Sequence, residues 1–384
     1  MKILYLIPSL ENSGGMERIL VSKVNYLIDL NYEVSIITTE QENSNSFFKL
    51  NNNVKVVPLK LFFNQYFSNN LFSKYFNTKR VLKKYKNLVE LYVEENNIDI
   101  CVSLGGKELE FFYKLNGKCK KICEMHFSLN VRQEFLSSRK KGLLWKFIGS
   151  YRTKQLIKQT QTLDSLVVLT NSDRDKWRKT HKNINQIYNF SSFSGNKISN
   201  LRSKRLLAVG RLDPQKGFDL LIQSIALIPK YILENWSIDI YGSGNNESVL
   251  NDMIKEYDLC EYIHLKGVTN DVENEVFNSS GVLLSSRYEG FPMVLVESLS
   301  CGVPIIAFDC PTGPNEIIKN DDCGFLVEYL NIQRFAQAII RLITEDYNRG
   351  IKGQIALEKS SMYSKDTIMS QWIELFDSLL EKRV

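Results

Sequence analysis

The clearest structural signal in the chain lies in residues 205–217, RLLAVGRLDPQKG. Its apolar start predicts a β-strand over 205–210, and an amphipathic helix pattern follows over 218–228. Between the two, an Asp-Pro pair marks a turn. A strand that passes through a short loop into a helix is the repeating unit of a parallel sheet covered by helices. We therefore expect an α/β fold around this stretch.

The same alternation extends in both directions along the chain. After the loop, apolar runs predict strands over 236–241, 262–265, 281–286, 303–308 and 324–328. Before it, they predict strands over 2–7, 33–39, 54–58, 98–104, 119–124 and 165–170. Near-continuous apolar strands separated by helices predict two doubly wound, Rossmann-like domains that face a cleft.

A polar stretch between the two halves sets the expected domain boundaries. We expect an N-terminal domain at 1–188, a linker at 189–203 and a C-terminal domain at 204–364. The last segment, 365–384, has apolar residues at helical spacing and is expected to pack back on the N-terminal domain. A length of 384 residues suits two domains of similar size.

Composition argues against several classes of protein. Seven cysteines without a Cys-x-x-Cys pair disfavour a disulfide framework and a zinc ribbon, and three histidines leave little material for a histidine-based metal site. The N-terminal apolar run is cut by Pro8 and is too short for a signal peptide. No run approaches the roughly 18 apolar residues that span a bilayer. We therefore expect a cytoplasmic protein.

Charge is unevenly distributed along the chain. Residues 1–190 contain 30 Lys and Arg against 17 Asp and Glu, whereas residues 191–384 contain 19 against 26. Basic and large apolar side chains are interleaved over 59–89 and 139–158, which suits a peripheral position on an anionic inner-membrane surface or binding of a lipid-linked diphosphate. A solvated helix face over an ordinary core is the alternative. Nucleic acid is not expected, because no binding motif accompanies the charge.

Two loops at predicted strand ends carry charged residues suited to a phosphorylated sugar. After strand 205–210, Arg211 can grip phosphate oxygens in a forked geometry, and Lys216 adds a compact charge. After strand 281–286, Glu289 and Glu297 can accept hydrogen bonds from the paired hydroxyls of a sugar and a ribose. Solvated turn and helix charges are the ordinary alternative for both loops.

Two further loops carry small residues where a predicted helix begins. Thr312 and Gly313 follow strand 303–308, and Gly14 and Gly15 follow strand 2–7. Backbone N–H groups at a helix start can bind phosphate, and glycine allows a ligand to approach the backbone closely. Taken alone, each loop would also suit an ordinary capped helix or turn.

Together, the four loops carry a resemblance to a known family. The glycine pair after the first strand is followed by G-R-L-D-x-x-K-G at 210–217, E-G-F-P-x-x-L-x-E at 289–297 and P-T-G-P-x-E-I-I at 311–318. This order resembles the retaining glycosyltransferases of family 4, which have the GT-B fold. The likeness runs along essentially the whole chain and is densest over 205–328.

The resemblance implies a role for each matched residue. Arg211 and Lys216 would hold the donor diphosphate and neutralise the leaving group, while Glu289 would contact the donor sugar and Glu297 the ribose. His126, in the segment C-E-M-H-F, resembles the family's histidine near the donor sugar, with a plain partly buried histidine as the alternative. Further contacts with the donor or acceptor would come from backbone groups at Gly14, Gly15, Gly210, Thr312 and Gly313.

The implied reaction moves a hexose or N-acetylhexosamine from a nucleotide sugar, by family habit a UDP sugar, to a saccharide acceptor with retention of configuration. A lipid-linked acceptor in capsule, O-antigen or exopolysaccharide assembly is expected. No cofactor and no metal ion are expected. The Asp-x-Asp pair formed by Asp173 and Asp175 is interpreted as part of a helix cap rather than as a metal site.

Three other functions would use a similar fold. In a Rossmann dehydrogenase, Glu40 would stand where an acidic residue binds ribose, but residues 13–18 read SGGMER instead of G-x-G-x-x-G. A nucleotide-sugar epimerase or hydrolase would keep the donor-binding residues without sugar transfer to an acceptor. A non-catalytic accessory subunit would have lost those residues, and Arg211, Lys216 and Glu289 are all retained.

Overall fold

The computed structural model describes residues 1–63, 71–129, 143–193, 195 and 197–381, with the side chains of 71–74 and 143–146 left aside. The described residues divide into two compact units. The first holds those up to Tyr188 together with those from Ile368 onward, and the second holds Asn189–Thr367.

The described part of the first unit is built on a parallel sheet. Its strands are β1 (Lys2–Ile7), β2 (Glu33–Thr38), β3 (Lys55–Pro58), β4 (Ile100–Ser103), β5 (Lys120–Met125), β6 (Ser165–Val168) and β7 (Ile184–Gln186). They lie in the order β3-β2-β1-β4-β5-β6-β7. Its helices are α1 (Gly15–Asp29), α2 (Leu71–Glu95), α3 (Leu109–Phe112), α4 (Leu143–Thr160) and α5 (Asn171–Trp177).

The strand order of the first unit reverses between β1 and β4. Leu4 of β1 pairs with Ser35 on one side and with Cys101 on the other, so the chain winds outward from this point in both directions. Helices cover the sheet, and residues 3–7 are buried as a result. In a sheet of this type, ligands bind beyond the carboxyl ends of the strands at the reversal.

The second unit repeats this design. Its strands are β8 (Arg205–Val209), β9 (Ser237–Tyr241), β10 (Ile263–Gly267), β11 (Gly281–Leu284), β12 (Ile305–Phe308) and β13 (Gly324–Val327). They lie in the order β10-β9-β8-β11-β12-β13, so the reversal falls between β8 and β11. Its helices are α6 (Phe218–Ala226), α7 (Lys230–Leu233), α8 (Glu247–Glu256), α9 (Val272–Phe277), α10 (Met293–Ser300), α11 (Pro314–Ile317), α12 (Ile332–Thr344) and α13 (Asp346–Ser360).

The last helix, α14 (Lys365–Glu381), follows a 3₁₀ turn at Ser361–Tyr363. Its buried side chains include Ile368, Trp372 and Phe376, and its residues from Ile368 onward belong to the first unit, as predicted. Every strand predicted from the apolar runs is present, whereas β7 was missed. Within the described residues, each helix is too short or too polar to span a lipid bilayer.

Candidate active site

The loop between β8 and α6, residues 210–217, is held in shape by hydrogen bonds within the loop. Asp213 accepts hydrogen bonds from the Gln215 N–H through Oδ1 at 3.0 Å and from the Lys216 N–H through its carbonyl at 3.2 Å. Gly217 has a φ of 64°, and a Cβ added there would lie 2.2 Å from the carbonyl oxygen of Ser285. Glycine is therefore required where this loop presses against the loop after β11.

Arg287 fastens the same two loops together. Its guanidinium donates to both carboxylate oxygens of Asp219, at 2.8 and 2.6 Å, and to the carbonyl of Pro214 at 2.8 Å. Its backbone N–H donates to the Gln215 carbonyl at 2.8 Å. The hydrogen bonds that it donates to Asp219 raise the pKa of Arg287. A forked donor with fixed partners holds the loop that carries Lys216 at a set position on the loop after β11.

Lys216 and Glu289 form the charged centre that this arrangement creates. Lys216 Nζ donates to Glu289 Oε1 at 2.8 Å, and Ser286 Oγ donates to the same oxygen at 2.6 Å. The side chains of Lys216 and Glu289 are 17% and 7% exposed. The structure thus brings together two residues that the sequence analysis assigned to diphosphate and sugar, respectively.

Arg211 occupies a different environment. Its side chain is 72% exposed, with its guanidinium 3.2 Å from Asp213 and 3.1 Å from the side-chain oxygen of Gln215. Exposed pairs of this kind contribute little to stability, so the guanidinium can exchange these partners for a ligand at low cost. Gly210, at the start of the loop, packs against Lys216, since an added Cβ would lie 2.9 Å from the Lys216 Cε.

The loop after β12 supports Glu289 from the other side. Thr312 is fully buried, and its hydroxyl donates to the Glu289 carbonyl. Gly313 has a φ of 100° and precedes α11, and a Cβ there would lie 2.4 Å from Pro292 Cδ. The Thr312 hydroxyl is therefore occupied within the protein, which leaves the backbone as the part of this loop that can meet a ligand.

Glu297 lies on α10 and is buried, with only 5% of the residue exposed. Its Oε1 accepts a hydrogen bond from Ser192 Oγ at 2.8 Å. The alternative of an exposed helix residue is therefore wrong for Glu297. The loop after β9 also belongs to this group, because a Cβ on Gly242 would lie 1.8 Å from the Gly210 carbonyl. Its signal, a Gly-Ser-Gly sequence at a strand end, was missed in the sequence analysis.

In the first unit, the glycine pair opens α1 as predicted. Gly14 is the N-cap residue, and a Cβ there would lie 2.3 Å from Glu17 Oε2. Glu17 is itself buried and accepts a hydrogen bond from Asn12 Nδ2 at 3.2 Å. Gly15 begins the helix.

The loop after the neighbouring strand, β4, contains a second glycine pair that the sequence analysis missed. The buried Glu108 accepts hydrogen bonds from Ser103 Oγ at 2.6 Å and from the Gly106 N–H at 2.9 Å. Burial raises the pKa of Glu108. Since β1 and β4 are adjacent, Gly105-Gly106 and Gly14-Gly15 follow the two strands at which the sheet order reverses.

His126 directly follows β5, one strand further along. Its Nε2 lies 3.3 Å from Glu124 Oε1, and the ring is largely buried. Asp173 forms part of a cap, as interpreted, although the capping side chain is that of Thr170, which accepts from the Asp173 N–H at 3.1 Å. The Asp173 carboxylate lies 3.5 Å from Lys176 Nζ.

The basic aromatic segments lie partly outside the described residues, which omit 64–70 and 130–142. On α2, exposed residues at helical spacing are Tyr75, Phe76, Lys79, Arg80, Lys83 and Lys84. Lys79 Nζ lies 4.4 Å from the centroid of the Tyr75 ring. On α4, the exposed residues include Phe147, Tyr151 and Lys154. Cations and aromatic rings therefore share exposed helix faces in this unit.

Comparison with known proteins identifies relatives of the chain. Residues 189–356 match the family model described as glycosyl transferases group 1. The chain is 28% identical to the amylovoran biosynthesis glycosyltransferase AmsD of Erwinia amylovora, over 98% of this chain and 99% of that protein. It is 27% identical, over 98% of both chains, to a Campylobacter jejuni α-1,4-N-acetyl-D-galactosaminyltransferase that acts on a PP-undecaprenol-linked diNAcBac glycan.

The fold is also that of solved glycosyltransferase structures. A crystal structure of S. aureus TarM in complex with UDP and alpha-GlcNAc-glycerol matches with a TM-score of 0.78 and 18% identity, covering 98% of this chain and 99% of that one. The fold is accordingly GT-B, as the resemblance implied.

Proposed function

We propose that the chain, which matches the group 1 glycosyltransferase model over residues 189–356 and is similar to AmsD along its length, transfers a hexose or N-acetylhexosamine from a nucleotide sugar to a saccharide acceptor with retention of configuration. The observation that carries the proposal is the pair of Lys216 and Glu289, which lies where β8 and β11 end at the reversal of the second sheet. A cation and a carboxylate held in contact at this position suit a ligand with phosphate and hydroxyl groups.

The donor binds through its diphosphate and its sugar. Lys216 and the exposed Arg211 neutralise the diphosphate, while Glu289 accepts hydrogen bonds from hydroxyl groups of the sugar. Glu297, on α10, accepts from the ribose hydroxyls. Gly210 and the backbone at Thr312 and Gly313 complete the cradle, since these positions have no exposed side chain that would keep a phosphate away.

The main chemical task is to stabilise negative charge on the leaving nucleoside diphosphate. Donors that are already in place at this position lower the barrier without reorganising during the reaction. The bonds of Asp213 and Arg287 keep the Lys216 loop in one conformation, which supports this role. The departing diphosphate takes the proton of the attacking acceptor hydroxyl, so that neither a side-chain base nor a metal ion is required.

In the first unit, the loops at Gly14-Gly15 and Gly105-Gly106 and the imidazole of His126 contact substrate. A UDP sugar is the proposed donor, supported by the UDP complex of TarM. The proposed pathway is surface polysaccharide assembly on a lipid-linked acceptor, supported by the amylovoran and undecaprenol-linked relatives. The exposed cationic and aromatic face of α2 supports a peripheral position on an anionic membrane.

Protection from thermal unfolding tests the donor assignment before the acceptor is known. The purified protein is heated with EDTA and with UDP, GDP, ADP, NAD or their sugar conjugates in turn. A ligand at 100 times its Kd adds about 2.7 kcal/mol to the free energy of unfolding, so a specific ligand raises the Tm. Protection by UDP that is lost in Lys216→Ala and retained in Lys230→Ala, a change of an exposed lysine of the same unit, supports the proposal.

Other outcomes of this screen reject parts of the proposal. Protection by NAD alone identifies a dehydrogenase, and a requirement for a divalent cation rules out the metal-independent mechanism. Binding of a UDP sugar that is hydrolysed or epimerised, without transfer to an acceptor, identifies one of the other enzymes of this fold. Failure of every one of these nucleotides to bind rejects the proposed donor and favours the accessory-protein alternative.

A further inference from the structure

The first unit contains a lysine in an environment where lysine is rarely found. Lys23 of α1 is 1% exposed, and its Nζ donates to both carboxylate oxygens of Glu124 on β5, each at 2.7 Å. Its Nζ also lies 3.7 Å from the ring centroid of Trp372 on α14. Two charges taken out of water are costly, and apolar residues of the same size often give an equally stable or more stable protein.

The network reaches a residue that we place in the substrate site. Glu124 Oε1 lies 3.3 Å from His126 Nε2, and this nitrogen is buried without a well-aligned hydrogen bond to any described residue. Hydrogen bonds of catalytic groups are often long or poorly aligned before substrate binds. The carboxylate of Glu124 is therefore shared by a buried lysine and an imidazole.

Glu124 is held as an anion although it lies in the interior. Burial by itself raises the pKa of Glu124, but the charge of Lys23, followed by the effect of the neighbouring His126, outweighs it, and the pKa falls to about 2. Burial and the negative charge of Glu124 raise the pKa of Tyr5, whose buried hydroxyl has no hydrogen-bond partner among the described residues. Lys23 thus supplies the charge that keeps a carboxylate ionised beside the imidazole.

We propose that Glu124 is a positioning residue for His126, kept anionic by Lys23, with Trp372 of the last helix shielding Lys23 from water. The carboxylate holds the imidazole proton on Nε2 and fixes the ring, so that Nδ1 is an acceptor for a substrate hydroxyl. This inference rests on the proposed role of His126 in binding substrate. It makes the last helix a support for the sugar-binding residue.

The tautomer of His126 tests this proposal without any activity measurement. The chain has three histidines, so ¹⁵N-histidine labelling and long-range ¹H–¹⁵N correlation spectra separate their signals. In the unmodified protein, neutral His126 must carry its proton on Nε2. A proton on Nδ1, or a mixed population, overturns the proposal even if no variant can be purified.

A charge-free variant then tests the cause of the tautomer. Lys23→Met combined with Glu124→Gln removes both charges and avoids leaving either one buried alone. We expect a mixed tautomer of His126 in this variant, whereas His181, which lies between the hydroxyls of Thr160 and Thr180, stays unchanged as the internal control. An unchanged His126 signal in the folded variant overturns the proposal.

Kinetics separate this inference from the proposed function. We expect the charge-free variant to lower kcat by about 10²-fold with little change in donor KM, as for a misplaced catalytic group. In a His126→Ala background, the same two changes must have no further effect, because Glu124 acts through His126. If the two changes lower kcat further in the His126→Ala background, the positioning role is rejected while the proposed function stands. Full activity of His126→Ala rejects instead the proposed substrate contact of His126.

Discussion

At the residue scale, Lys216 and Glu289 satisfy each other's charge while no phosphate is bound. In the proposed function, the donor diphosphate takes over the cation and leaves the carboxylate to the hydroxyls of the sugar. The hydrogen bond from Lys216 Nζ to Glu289 Oε1, 2.8 Å long, thus keeps both groups in position for a ligand that carries phosphate and hydroxyl groups. Donor binding is then an exchange of partners that needs little movement.

Lys216→Met tests this arrangement. We expect kcat for sugar transfer to fall by about 10²–10³-fold, the cost of removing one preplaced donor from a developing oxyanion. Steady-state kinetics with a UDP sugar measure the effect. Lys230→Met is the matched control, because Lys230 pairs with Asp258 on the surface of the same unit, and it should leave kcat unchanged. Equal losses in both variants would argue against the assigned role.

The buried Glu124 predicts a dependence of stability on pH. Its pKa is lowered from 4.5 to about 2, so the folded protein favours the ionised form. The resulting stabilisation is fully present above pH 4.5 and is lost as the pH falls towards 2. The loss amounts to about 3 kcal/mol, estimated at 1.36 kcal/mol per unit of pKa. Urea unfolding at a series of pH values should give a flatter acid limb for the variant with Lys23→Met and Glu124→Gln.

At the element scale, the site depends on how tightly the β8–α6 and β11–α10 loops pack together. Gly217→Ala forces a left-handed residue, at about 1–2 kcal/mol, and also places a Cβ 2.2 Å from a backbone oxygen. Gly267→Ala has a similar φ of 73° with nothing within 4 Å of the added Cβ, so it measures the backbone cost alone. We expect Gly217→Ala to lower the Tm more than Gly267→Ala does. Equal shifts would mean that the loops separate easily.

The forked contacts of Arg287 lead to a related expectation. Arg287→Lys keeps the positive charge but cannot donate to Asp219 and Pro214 in the same fixed geometry. We expect kcat to fall by about 10²-fold, because the Lys216 loop loses its alignment. Arg334→Lys, which changes an exposed arginine paired with Glu328, is the control and should leave kcat unchanged in the same assay.

Elements of this fold could be predicted because most strands are buried on both faces and therefore apolar throughout. β7 was missed since Ile184-Asn185-Gln186 has only intermediate burial and contains two polar residues. The pairing of Lys23 with Glu124 could not be predicted either. The two residues are 101 positions apart, and a periodicity analysis treats each as an exposed polar residue. Local patterns report which faces are apolar, whereas contacts between distant charges depend on the assembled sheet.

The same difference between local patterns and long-range contacts separates the site residues that could be predicted from those that could not. The 210–217 and 289–297 motifs were singled out because cations at a strand end suit phosphate and carboxylates suit pairs of hydroxyl groups. Arg287 was not singled out, because its role arises from the packing of two loops that are distant in sequence. Gly105-Gly106 was overlooked although it repeats the signal of Gly14-Gly15, namely two glycines in the loop that follows a buried strand.

At the scale of the whole molecule, the charge distribution separates the two halves of the chain. The excess of Lys and Arg lies in residues 1–190, and on α2 the cations Lys79, Arg80, Lys83 and Lys84 are exposed beside two aromatic rings. Anionic lipid attracts such a face by about 1 kcal/mol for each cation near the surface. Because this attraction is screened by salt, binding that depends on it should weaken as the ionic strength rises.

Lys79→Glu combined with Lys83→Glu reverses two charges on this face. We expect the unmodified chain to co-sediment with phosphatidylglycerol vesicles at low salt and not with phosphatidylcholine vesicles. The variant should lose co-sedimentation with phosphatidylglycerol. Lys230→Glu with Lys255→Glu, two exposed lysines of the second unit, applies the same charge change elsewhere and should keep binding. Equal loss in both variants would mean that net charge alone drives the association. Unaltered binding of the α2 variant would assign the membrane contact to another surface, because replacing two positive charges with two negative ones must weaken binding if that helix face contacts the lipid.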